Sequence, residues 1–233
     1  MLGDGLLLLE FSRCNAPARA GEWADWYDNI ELPAAVERGA DVVTRFEVSP
    51  APVPGMPSIG FSHVAIHEFR GDDAVARAEA AQAVRAEQTY FADAHANHCL
   101  INLDLLAAHG NGGSKSEPAE DLEGHVLAYV MPNRVARYAE WDAWYDEMHL
   151  PDMMQSGAFR AGSRWRRNEP SAFGAADVTL YDVAGMSLRE AVERSAAVMP
   201  GIAERGRKLD CHVGAMSFRL QACGRWAGKG CRR

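Results

Sequence analysis

His63 and His67 lie four residues apart in a run rich in β-branched and aromatic residues. On a strand that spacing puts both imidazoles on one face, about 13 Å apart, too far to share a metal ion but suited to moving protons at two ends of one substrate. A third histidine, His149, follows Tyr145 by four residues and precedes Pro151 by two. Proline disfavours helix at the residue before it, so His149 is expected near a helix end, where backbone carbonyls favour a protonated imidazole. A histidine that merely caps the helix is the competing reading. Tyr181 or Tyr129 is suited to stabilising a developing enolate, and Arg45, Arg164 and Arg166 to clamping a carboxylate through paired hydrogen bonds.

Such groups need a scaffold, and the chain writes it twice. Residues 22–33 return as 140–151, with Trp23, Trp26, Tyr27 and Pro33 matched by Trp141, Trp144, Tyr145 and Pro151. Unusual residues recurring in one register mark a duplicated folding unit. The copies part at one chemically loaded position, Glu31 in the first and His149 in the second. Trp23, Trp26, Tyr27 and Ile30 form an i, i+3, i+4, i+7 stripe, the pattern of a buried helix face, so the tryptophans read as core. Tyr27 and Tyr145, at the edge of each stripe, can still turn a hydroxyl into a cleft.

Residues 5–12, 42–48, 59–69 and 99–107 read as strands, with helices from 22 and over 72–92. The second copy repeats that order, with strands at 125–131, 159–167, 177–183 and 209–220 and helices at 137–156 and 187–205. Each copy is a βαββαβ, ferredoxin-like unit with its helices on one face of an antiparallel sheet. The expected division is a first unit over 1–109, a polar linker over 110–122, a second unit over 123–222 and a mobile tail over 223–233.

Two sheets covered on one face are expected to turn their open faces toward each other, trapping a polar cavity. Strand alternation then assigns Val64, Ile66, Val178 and Leu180 to the helices. It gives His63, His67, Asp177, Thr179 and Tyr181 to the cavity, joined by His125 and Tyr129 from the first strand of the second copy. A shift of register by one residue inverts every one of these assignments.

Composition narrows the partners. The 233-residue chain carries a net charge of −8, which argues against nucleic acid. The apolar run at 6–9 is too short for a signal-peptide core or a membrane span, which predicts a cytoplasmic protein without membrane contact. The five cysteines include no C-x-x-C pair and read as free thiols. His95 and His98 lack a third ligand and read as surface loop, so no metal is expected. Nucleotide-binding and hydrolase motifs are missing, and no cofactor is expected.

The W-x-x-W-Y-x-x-x-H-x-P pattern of Trp141, Trp144, Tyr145, His149 and Pro151, on the first helix of a βαββαβ unit, resembles the EthD-like branch of the dimeric α+β barrel superfamily. The likeness covers residues 6–220. It implies an α+β fold in which the two tandem units form a dimeric α+β barrel within one chain. Relatives include cofactor-free isomerases, polyketide cyclases, oxygenases and dehalogenating or decarboxylating enzymes, so the fold does not name the reaction. The resemblance further implies a cleft between sheet and helices for a small aromatic or aromatic-derived substrate, and it puts His149 at the family's histidine position. Glu31 departs from the pattern, favouring one working site or two unlike ones.

The leading expectation is an isomerase acting on a small unsaturated carboxylic acid from aromatic-compound catabolism. His149, His63, His67 and Tyr181 would be catalytic, with Arg45, Arg164, Tyr129, His125, Asp177, Tyr145, Tyr27 and Glu31 around the substrate. Ester hydrolysis on a similar ring-cleavage product, cyclisation, oxygenation and non-catalytic binding of an aromatic metabolite are the alternatives. The expected partner is a small carboxylic or phenolic molecule, with a homodimer left open.

Overall fold

The computed structural model describes residues 5–49, 60–86, 95–110, 122–167 and 177–227. The first unit runs β1 (Gly5–Cys14), α1 (Ala20–Trp26), a π-helical turn (Tyr27–Glu31), α2 (Leu32–Glu37), β2 (Val42–Val48), β3 (His63–Arg70), α3 (Ala74–Ala86) and β4 (His95–Gly110). The second repeats it with β5 (Leu122–Pro132), α4 (Tyr138–Trp144), a π-helical turn (Tyr145–His149), α5 (Leu150–Gln155), β6 (Ala161–Arg167), β7 (Asp177–Ala184), α6 (Leu188–Glu204) and β8 (His212–Ala227).

All strands close into one antiparallel barrel in the order β1-β3-β2-β8-β5-β7-β6-β4. Each unit contributes four neighbouring strands, and the seams are β2 on β8 and β4 on β6. Closure removes the open sheet edges that each unit would otherwise expose. Residues 223–227, expected in a tail, instead complete β8, with Val42 opposite Ala227. Residues 95–98, read as a loop, begin β4, with Cys14 opposite His95. The proline-rich stretch 50–59, the linker residues 111–121 and the last residues 228–233 lie outside the described residues.

The faces expected of β3 and β7 are inverted, whereas Tyr129 of β5 does point into the barrel. Leu7, Leu9, Phe11, Val64 and Ile66 of the first unit meet Leu127, Tyr129, Val178, Leu180 and Leu220 of the second in one apolar cluster inside the barrel. Among the described residues an apolar cluster stands where a polar cavity was expected, as in a narrow eight-stranded barrel filled by its own side chains. The face with mixed chemistry is the one under the helices. There Leu6, Leu8, Trp23, Tyr27, Leu32 and Phe69 pack in the first unit, and Val126, Trp141, Tyr145, Leu150 and Val183 in the second. Burial on both faces accounts for the unbroken apolar run Leu6, Leu7, Leu8 and Leu9, all buried.

The helical stretch expected over 137–156 continues past His149 into α5, with Pro151 in the first turn of α5. The π-helical turn before it widens the coil, and proline is tolerated where a helical segment begins. That wider turn also changes which residue faces inward: Ile30 is 54% exposed while Glu31 is 3% exposed, and Met148 at 39% gives way to His149 at 8%. Gly162 lets α5 sit close on β6, since a Cβ there would stand 2.9 Å from Leu150 Cδ2.

Candidate functional site

The pairing register superimposes the two units residue by residue. Val64 faces Phe11 as Val178 faces Tyr129, and Ala65 faces Arg45 as Thr179 faces Arg164. Under the helices His63, Ala65 and His67 therefore correspond to Asp177, Thr179 and Tyr181, Arg45 to Arg164, and Ser12 to Val130. The repeated motif adds Ala24 with Asp142 and Asp28 with Asp146.

In the first unit α1 and the π turn lay Trp23 and Tyr27 on this face, their rings stacked 4.9 Å apart. The Arg45 guanidinium sits over both, 5.7 and 5.5 Å from their centroids, and pairs with Asp28. His63 lies 4.9 Å from the Trp23 ring. Burial, with the Arg45 charge second, pushes its pKa down to about 4, so the imidazole is neutral near neutral pH. Further along the strands, His67 Nε2 is 3.2 Å from Glu10 Oε2, both groups being buried. Arg38 Nη2 donates to Glu31 Oε1 at 2.7 Å. Between these pairs, α2, α3 and the sheet leave a small solvent-open cleft, a cavity of about 20 Å³ whose mostly apolar wall includes Leu8, Ala35, Arg38, His67, Phe69 and Gln82.

In the second unit the arginine is satisfied from within the chain. Arg164 donates from Nε to Asp177 Oδ2 at 2.8 Å and from Nη1 to Asp146 Oδ1 at 2.7 Å, and it also pairs with Asp142. Its guanidinium lies 4.8 Å from the Trp141 ring and 5.1 Å from that of Tyr145. Tyr138 Oη donates to Asp177 at 3.1 Å, and burial with the Asp177 charge pushes its pKa up to about 12. Tyr145 Oη reaches Thr179 Oγ1 at 2.9 Å and Tyr181 Oη at 3.2 Å, and burial raises both phenols.

His149 is packed among Trp144, Tyr145 and His212, its ring centroid 5.2 Å from that of His212. Burial first and His212 second push its pKa down to about 3. This corrects the expectation of a protonated helix-end imidazole, because desolvation outweighs any favour from carbonyls.

The structure thus gathers His63, His67, Arg45, Tyr27 and Glu31 in the first unit's helix-covered layer, and His149, Tyr181, Arg164, Asp177 and Tyr145 in the second's. Tyr129 and His125 belong to neither. Tyr129 is in the barrel core, and His125 sits against Phe46 of that core, 4.9 Å between rings, with Nδ1 3.0 Å from Asp182 Oδ1. Asp28, Arg38 and His212 were not among the expected site residues, and Glu10 was expected only as one residue of the first strand's inward face. A lone acid after four leucines was the available signal for Glu10, and the aspartate shared by both motif copies was the signal for Asp28 and Asp146. Among the described residues no group of three or more His, Cys, Asp or Glu is placed to hold a metal ion, and no helix is long and apolar enough to cross a membrane.

No family model and no curated protein sequence matches the chain. Solved structures do. An anthrone oxidase-like protein is 13% identical with a TM-score of 0.58, covering 96% of this chain and 93% of its own. A candidate monooxygenase from Fusobacterium nucleatum subsp. nucleatum is 9% identical with a TM-score of 0.59, covering 97% and 96%. A candidate chlorite dismutase is 10% identical with a TM-score of 0.55, covering 95% of each chain. The fold is that of the dimeric α+β barrels. In this barrel one chain supplies both units.

The isomerase expectation falls with these findings, since the proteins sharing the fold are named for oxygen chemistry. Tyr129 is divided from His63 and His67 by the sheet, and Tyr181 shares its layer with His149 rather than with those two histidines.

Proposed function

We propose that the first unit is an oxidase or monooxygenase site in which dioxygen attacks a small, flat phenolic or aromatic-ketone substrate. The observation that carries this reading is the buried Glu10–His67 pair in the wall of an apolar, solvent-open cleft. With Nε2–H donating to Glu10, His67 keeps Nδ1 as its basic atom and can take a proton from an acidic C–H or O–H, with Glu10 steadying the imidazolium that forms. The substrate anion is electron-rich enough to react with dioxygen. For an activated methylene the sum is R–CH₂–R′ + O₂ → R–CO–R′ + H₂O. The carbon supplies all four electrons, so the reaction requires no added reductant. The names of the structures sharing this fold support oxygen chemistry, and the aromatic motif from Trp141 to Pro151 supports placing the chain in the EthD-like branch of the superfamily.

Oxygen uptake by the purified full chain with anthrone as probe tests the reading. Uptake matched by one ketone formed per dioxygen is expected, with His67→Gln slower by about 10²- to 10⁴-fold. Unchanged uptake in His67→Gln removes the proposed base, and binding of anthrone without uptake leaves a carrier rather than an enzyme.

A further inference from the structure

The duplication provides an internal control on one buried cation. Arg164 is held by three carboxylates, from Asp142, Asp146 and Asp177. Arg45, its counterpart in the first unit, keeps one of them as Asp28, while Ala24 and His63 stand where the other two would be. The consequence is visible in the polar inventory. Arg164 Nε donates to Asp177, whereas among the described residues Arg45 Nε finds no hydrogen-bond partner although Arg45 is 95% buried, being 5% exposed. On the same layer the hydroxyl of Ser12, fully buried and replaced by Val130 in the second unit, is also without a partner among the described residues.

A buried donor left unbonded costs roughly 1–3 kcal/mol, more when charged. Two of them beside His63 in one copy, and none at their counterparts in the other, point to a ligand group that completes the layer. We infer that Arg45 Nε anchors an exogenous carboxylate in the first unit, seated where Asp177 puts its own carboxylate in the second. Neutral His63 lies beside that place, and the Trp23 and Tyr27 rings already fix the guanidinium plane. The inference goes beyond the oxidation chemistry, because it assigns an anionic group to what this unit binds and is read without turnover.

Calorimetric titration of the full chain with benzoate is the test. Wild-type protein is expected to bind one benzoate per chain. His63→Asp, which grafts the second unit's carboxylate beside Arg45, should weaken binding about tenfold or more while the melting temperature holds or rises. His63→Gln removes the imidazole without adding charge and should stay within about threefold of wild type. Ala24→Asp, at the position of Asp142, gives a second route to the same block if His63→Asp folds poorly. Failure of wild type to bind benzoate, equal binding by the aspartate variants, or equal loss in His63→Gln would overturn Arg45 as the anchor.

Discussion

His149 and His212 are held neutral by their surroundings. Trp141 Nε1 donates to His212 Nδ1 at 3.1 Å, which requires an unprotonated acceptor, and burial pushes the His212 pKa down to about 4. Both folded values lie below the ordinary histidine value of 6.5, so the unfolded chain binds more protons between about pH 4 and pH 6.5. The stability these groups contribute is complete above that window and lost as pH falls through it, at up to roughly 1.4 kcal/mol per pH unit for each histidine. Thermal melts at about pH 7 and about pH 5 should show a clear drop at the lower pH, and His149→Leu should shrink that drop; equal melting temperatures would show that the imidazoles are not held neutral. The sequence placed His149 on its helix, but its environment depends on His212 at the start of β8, a neighbour no local pattern exposes.

At the scale of elements, the two π-helical turns decide what points at the sheet. A 3.6-residue period makes Ile30 the fourth member of the buried stripe, and the widened turn substitutes Glu31. Ile30→Lys should therefore change stability by no more than about 0.5 kcal/mol, while Glu31→Ala, which removes the carboxylate paired with half-buried Arg38, should cost more, roughly 1.5–3 kcal/mol in chemical denaturation. A large loss from Ile30→Lys would mean that the helix keeps its regular period. Helix and strand positions were otherwise legible from apolar periodicity. The faces were not, because alternation shows which residues share a side and not which side is drier. Here the barrel interior is the drier one, and it claimed Val64 and Ile66.

For the whole molecule, duplication was plain in the repeated tryptophan motif, and it led to the correct fold. The seams were hidden, since β2–β8 and β4–β6 join residues far apart in sequence. Because both units fill one interior, they should unfold together. Leu127→Ala is expected to cost about 2–5 kcal/mol and to lower a single cooperative transition, followed by calorimetry and by tryptophan fluorescence. Two separated transitions would mean that the units are stable apart.

The proposed chemistry belongs to the first unit's helix-covered layer, with the barrel interior and the second unit as its support. A crystal structure of the full chain with anthrone bound addresses that assignment most directly. Ligand density against His67, Arg38 and Phe69 is the predicted result; density beside Tyr181 and His149, or inside the barrel against Leu127 and Tyr129, would contradict it.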